Sequence, residues 1–285
     1  MILVSGAAGK TGLAVMAALS HRGEKVRALV KNEAQASRAR AAGAMEVVCG
    51  DMLEEAAWQE ALLDIDALYH IGPNMHPQEE QMGRLAVQAA HKAAVMHFVY
   101  HSVLHPQTEA MPHHWRKLRV EEAVLASGLP FTILQPTAYM QNILGGWDLV
   151  IKSGVYRVPY PVSTRLSLVH LADVAQAAAV ALTEPGHAGA TYELVGTPPL
   201  AQTEVAARLG EALGRDVTAE EIGLDEWRRQ AEQGGLSGET LEILLHMFRY
   251  YASYGFAGNP HVLTWLLGRA PRTLLDFVAG AAASA

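Results

Sequence analysis

The chain has 285 residues, half of them apolar and 18% charged, enough for one large globular domain or a domain with a smaller lobe. A formal net charge of −7 argues against a nucleic-acid partner, and no apolar run approaches the ~20 residues of a membrane helix. A single cysteine, Cys49, excludes an internal disulfide framework, fits a reducing compartment, and reads as a buried strand-end thiol.

The N-terminal run Ile2–Ser5 is short, apolar and followed at once by glycine, so it reads as a strand and not as a signal peptide; a cytoplasmic location is expected. Strands are then expected at 25–30, 45–48, 67–71, 97–100 and 131–134, with helices between them at 11–21, 33–42, 54–63, 81–94 and 114–126. Several of these strands are apolar nearly throughout, as strands buried on both faces must be. The alternation predicts an α/β fold, a doubly wound parallel sheet with ligands at the carboxyl ends of its strands. After Pro136 the rhythm breaks. Residues 139–161 are rich in Gly, Tyr and Pro and read as a loop-dominated insertion. A strand at 166–169, a helix at 172–182 and a strand at 191–195 return to the earlier pattern. Helices at 202–213 and 239–254, then apolar segments at 262–267 and 274–278, make a smaller, mainly helical lobe expected to pack over the cofactor edge. The predicted division is 1–138, with a return at 164–196, for the nucleotide-binding part, and 139–163 with 197–285 for the substrate lobe. No repeat is present, and the alanine-rich C-terminal tail is the one compositionally biased segment.

The strongest local signal is Gly6-Ala-Ala-Gly9-Lys-Thr-Gly12 between the first strand and first helix. One glycine allows the tight turn, the second admits a pyrophosphate close to the backbone, and the third lets helix and strand pack. The helix N-terminus would point amides at the phosphates, which makes Gly6, Ala8, Gly9, Lys10, Thr11 and Gly12 cofactor candidates. A P-loop would need glycine where Val4 stands. Lys31 follows the second strand where NAD-binding proteins carry an acid, so it favours the 2′-phosphate of NADP; Arg27 is a weaker candidate, and a solvated lysine the alternative. Asp51, beside Met52, is placed to meet the adenine or else to cap the next helix. Ile71, Gly72 and Pro73 follow the fourth strand, and Tyr139, with Met140, follows the sixth near the nicotinamide. His97, His101 and His105 are spaced by four but begin in a strand, and no cysteine cluster or HExxH accompanies them, so no metal site is expected. The aromatic residues Trp147, Tyr156, Tyr160, Tyr250, Tyr251, Tyr254 and Phe256 suit an apolar substrate pocket, although most fit a lobe core equally well.

These segments together resemble the NmrA-like family of atypical short-chain dehydrogenase/reductases. The resemblance is carried by residues 2–12, 26–31 and 50–51. It continues through His113-x-x-x-Lys117-x-x-Val-Glu121, 127–136, 169–175 and 189–196. It implies a Rossmann-like fold, NADP(H), a C-terminal substrate lobe, and relatives that reduce quinones, azo dyes or triphenylmethane dyes, or that sense NADP(H) as regulators. It also implies that Ser102, the residue at 113 and Lys117 form the catalytic set, with Lys117 on the nicotinamide ribose. Here His113 stands where the family's dehydrogenases place tyrosine, and Lys117 would keep that imidazole neutral. An i,i+4 pair with Glu121 is the alternative role for Lys117. The expected function is an NADPH-dependent oxidoreductase passing hydride to a hydrophobic conjugated compound such as a quinone, with no nucleic-acid or membrane partner and a possible homodimer. The alternatives are an NADP(H)-sensing regulator of a protein partner, and an isomerase or lyase on the same fold.

Overall fold

The computed structural model describes residues 1–282; the last three residues of the alanine-rich tail lie outside them. Strand β1 (Ile2–Ser5) leads into α1 (Lys10–His21), then β2 (Val26–Val30), α2 (Glu33–Ala41), β3 (Glu46–Cys49) and α3 (Glu55–Ala61). Next come β4 (Ala67–His70), α4 (Glu79–Lys92), β5 (His97–His101), α5 (Pro112–Leu125) and β6 (Phe131–Pro136). The seven-stranded sheet runs Ala190–Leu194, β6, β5, β4, β1, β2, β3. The pairings among β1 to β6 are all parallel, with Val4 opposite both Ala28 and Tyr69. The strand order reverses between β1 and β4, and the crevice outside their carboxyl ends is where ligands of such sheets lie.

Burial explains why these runs become strands. Every residue of β1 and β4 is buried, the signature of a sheet covered on both faces. One face packs Leu3, Leu29, Leu68, Phe98 and Ile133 against Trp58 of α3, Ala86 of α4 and Val120 of α5. Each such side chain contributes about 1.5–3 kcal/mol by leaving water. Trp58 is fully buried, and its indole N–H donates to Met52 O at 2.9 Å.

The chain divides into two compact units. The first comprises residues 1–108, 113–136 and 174–192; the second comprises 109–112, 137–173 and the described residues from 193 onward. The second unit corrects one sequence expectation. Residues 139–161 are not loop-dominated: they form a 3-10 helix (Met140–Gly146), an α-helix (Trp147–Ser153) and a strand (Val155–Val158). That strand pairs in parallel with Thr218–Glu221, a strand whose exposed, charged sequence gave no apolar alternation to detect. The helix Leu224–Gln233 buries no residue and so has no apolar stripe that the sequence would announce. Inside this unit Asp173, fully buried, accepts from the Arg269 guanidinium at 2.6 Å and from the Arg272 backbone N–H at 2.6 Å, and pairs with the Arg272 side chain. Tyr156, Tyr160, Tyr251 and Phe256 are buried, whereas Tyr254 is exposed. Among the described residues no helix is long and apolar enough to cross a membrane.

Candidate cofactor site

The first turn is built by contacts between strand ends. The Ile71 N–H donates to Ser5 Oγ at 3.2 Å, and Ser5 Oγ hydrogen-bonds His70 Nδ1 at 2.8 Å, locking β1 to β4 just before the glycines. Gly6 has φ +61°, and a Cβ there would lie 2.5 Å from Ile71 O. A Cβ on Gly12 would lie 2.6 Å from Gly6 O and 2.7 Å from the Ala7 Cα. Both positions therefore exclude every other residue on steric grounds. Gly9 is different. A Cβ there would meet only Gly6 O, at an ordinary 3.4 Å, so packing alone does not demand glycine. Gly9 is the N-cap of α1, carries no side-chain cap, and no acidic residue occupies the first turn. The positive end of the helix is thus presented without a neutralising carboxylate.

These residues border a cavity of about 510 Å³ within the first unit. Gly6, Ala8, Gly9, Lys10, Thr11 and Gly12 form one side, Lys31, Asp51 and Met52 the second, and Ile71, Gly72 and Pro73 the third. Lys117 and Tyr139 do not line it, and Tyr139 belongs to the second unit. Sequence reading missed Gln35, Leu53, His76, Gln78 and Met82 as lining residues. They lie beyond the strand ends, on segments where no motif marks a ligand contact. Lys31 is mostly exposed, with Nζ 3.9 Å from Asp51 Oδ2. Its backbone N–H donates to Gln35 Oε1 at 2.9 Å, and Asn32 Oδ1 caps α2 by accepting from the Gln35 N–H at 3.1 Å. No carboxylate occupies the residue that directly follows β2, the place where an acid would meet a ribose 2′-hydroxyl.

Several residues take up other duties. Arg27 is no phosphate ligand: its Nε donates to Glu46 Oε2 at 2.7 Å and its Nη1 to the carbonyls of Ala61 and Leu63 at 3.0 and 2.5 Å. Asp51 does not cap α3, whose N-cap is Glu54; it accepts instead from the Leu53 N–H at 3.0 Å in a local turn. Cys49 is exposed, not buried; it ends β3, the edge strand of the sheet.

Ser102, His113 and Lys117 lie in the first unit but make separate contacts. Ser102 Oγ donates to Glu121 Oε1, and Gln135 Nε2 donates to both Glu121 oxygens at 2.9 and 3.2 Å. Lys117 pairs with Glu79, not with Glu121, and both partners are buried. His113 packs edge-on against His114 with ring centroids 4.5 Å apart, and its Nδ1 is buried with no hydrogen-bond partner. Burial, reinforced by the neighbouring His114, Lys117 and Arg116, lowers the His113 pKa to about 2. Burial likewise holds His70 and His101 at about 3 and His114 at about 4. Burial raises Glu121, against the opposing hydrogen bonds from Ser102 and Gln135 and the Lys117 charge. The spaced histidines serve the fold: His97 Nε2 bonds Thr132 Oγ1 at 2.9 Å, and His101 Nδ1 bonds the Tyr69 hydroxyl at 2.7 Å. Among the described residues no cluster of three His, Cys, Asp or Glu could hold a metal ion.

A reversed-order parallel sheet with a glycine-built anion cradle at its switch point defines a Rossmann-like α/β protein. The chain belongs to the NmrA-like family, whose family model matches residues 1–278. A NAD(P)H azoreductase from Xenophilus azovorans is 28% identical over 285 residues, covering 100% of this chain and 99% of that protein. Among solved structures, an NADPH-dependent quinone oxidoreductase from Escherichia coli complexed with NADPH superposes with a TM-score of 0.86 at 27% identity, covering 99% of each chain. A Citrobacter sp. triphenylmethane reductase complexed with NADP(H) gives 0.87 at 25% identity, covering 99% of this chain and 100% of that one.

Proposed function

We propose that this protein is an NADP(H)-dependent oxidoreductase that reduces a hydrophobic, conjugated acceptor such as a quinone. The cradle carries this reading. Gly6 and Gly12 leave no room for a side chain, the start of α1 offers uncapped backbone amides, and Lys31 stands at the adenosine side of the cavity without an acid in its place. A diphosphate fits the amides and a 2′-phosphate fits the lysine. Bound there, NADPH supplies a hydride; the protein supplies position and shelter from water. The relatives that act on quinones and dyes support the choice of acceptor, as does the state of the supposed proton relay. His113 is neutral at physiological pH, Ser102 is engaged by Glu121 and Lys117 by Glu79, so no charged acid stands ready. An acceptor whose reduced oxygen anion is stabilised by conjugation needs none and takes its proton from solvent.

The test is NADPH oxidation followed by absorbance across a panel of quinones and azo dyes, with a simple aldehyde as comparison. Turnover with conjugated acceptors alone is expected. Tight cofactor binding with no acceptor consumed would favour an NADP(H)-responsive regulator, a reading that the engaged relay residues also support.

A further inference from the structure

Lys117 and Glu79 form a buried ion pair, with side chains only 5% and 1% exposed. Such a pair is weak evidence of stability, because desolvating both charges offsets most of their attraction. Its place is more informative. Gly72 borders the cofactor cavity, and its backbone rests on Glu79: a Cβ at residue 72 would come within 3.2 Å of Glu79 Cγ and 3.4 Å of Oε1. Oε1 holds the Lys117 ammonium, while Oε2 is buried without a partner. The Lys117 charge acts on His70 of β4, His101 of β5, and His113, His114 and Glu121 of α5, while Tyr100 of β5 feels the Glu79 and Glu121 carboxylates and Arg116 acts on His113. The four histidines are held neutral, and among the described residues Glu79 is the carboxylate that pairs with that ammonium.

We propose that Glu79 is a positioning residue of the cofactor cavity, holding the Lys117 ammonium behind Gly72 so that the strand-end floor Ile71–Gly72 stays fixed beneath the dinucleotide. The inference rests on the NADP(H) reading above. In this arrangement Lys117 acts through Glu79 and not by touching the cofactor. Removing the Glu79 charge leaves an ammonium buried with no counter-charge, and the floor must shift to hydrate it or the ammonium must release its proton. A shifted floor weakens cofactor binding at every pH, and release of the proton gives the affinity a pH dependence that a merely space-filling residue would not create.

The experiment measures NADPH affinity by titration calorimetry between pH 6.5 and 9 for the wild type, Glu79→Gln, and the double variant Glu79→Leu/Lys117→Met, with a thermal melt of each. The wild type is expected to bind with little change over this range. E79Q is expected to bind about tenfold more weakly, a loss of about 1.4 kcal/mol, with an affinity that changes with pH. The apolar pair, which carries no buried charge, is expected to melt cooperatively and to bind weakly at every pH. If E79Q does not fold, the apolar pair decides. Wild-type affinity, within twofold, in a folded E79Q with a flat profile or in the folded apolar pair overturns the proposal. A wild type that takes up neither NADPH nor NADP⁺ overturns the cofactor reading instead, and this inference falls with it.

Discussion

Lowering the pH from 7 to 5 should destabilise the first unit through its buried, neutral histidines. His70, His101, His113 and His114 are buried, with folded pKa values of about 3, 3, 2 and 4 against an ordinary 6.5. The folded values lie below the unfolded one, so the unfolded chain binds more protons as the pH drops. Stability is therefore full above pH 6.5 and is lost below it. At pH 5 each imidazole sits about 1.5 units below its unfolded pKa, so keeping it neutral costs about 2 kcal/mol. Four together cost about 8 kcal/mol, comparable with the whole stability of a typical domain, about 5–15 kcal/mol. Glu121, whose pKa is raised, works in the opposite direction, but it is one group against four. Urea titrations at pH 7 and pH 5 should show this loss as a fall in midpoint. The variant His113→Leu isolates one contribution, because His113 Nδ1 has no hydrogen bond to lose. Its stability should fall by about 2 kcal/mol less than that of the wild type over the same interval. Equal midpoints at the two pH values, or a His113→Leu variant as acid-sensitive as the wild type, would refute the reasoning.

Other expectations concern the cradle and the second unit. Gly12→Ala places a methyl 2.6 Å from Gly6 O and should weaken NADPH binding by at least tenfold, about 1.4 kcal/mol, in a calorimetric titration. Lys31→Glu should abolish the preference for NADPH, weakening NADPH by about tenfold to a hundredfold while leaving NADH nearly unchanged, since a charge-assisted hydrogen bond contributes about 1.5–3 kcal/mol. Asp173→Ala removes the shared acceptor of Arg269 and Arg272 and should lower stability by about 2–3 kcal/mol in a denaturant titration. In steady-state assays with a quinone, His113→Leu should keep kcat within about threefold of the wild type, because a neutral imidazole is not the proton donor.

What could be read from sequence was local. The strand–turn–helix at Gly6–Gly12 is written in consecutive residues, and the alternation through Pro136 carries its own periodicity, so the sheet and the cavity's three sides were legible. Partners set by long-range packing were not. Nothing near Lys117 announces Glu79, which is 38 residues away and joins it only because α4 and α5 meet over the sheet. Arg27 looked available until β3 brought Glu46 beside it, with the pairing register placing the two residues opposite each other. The apolar run around Cys49 predicts a buried thiol, but the residue is exposed at the end of an edge strand, a property of topology and not of composition. The strand Thr218–Glu221 pairs through its backbone and an exposed Arg157–Glu220 ion pair, with little apolar burial to leave a pattern in the sequence.

Titration calorimetry of the wild-type chain with NADPH and NADH tests the central claim most directly. The account predicts NADPH uptake at one site with affinity at least about tenfold above that for NADH, the difference vanishing in Lys31→Glu. No detectable heat with either dinucleotide, or equal affinity for the two in the wild type, would contradict it.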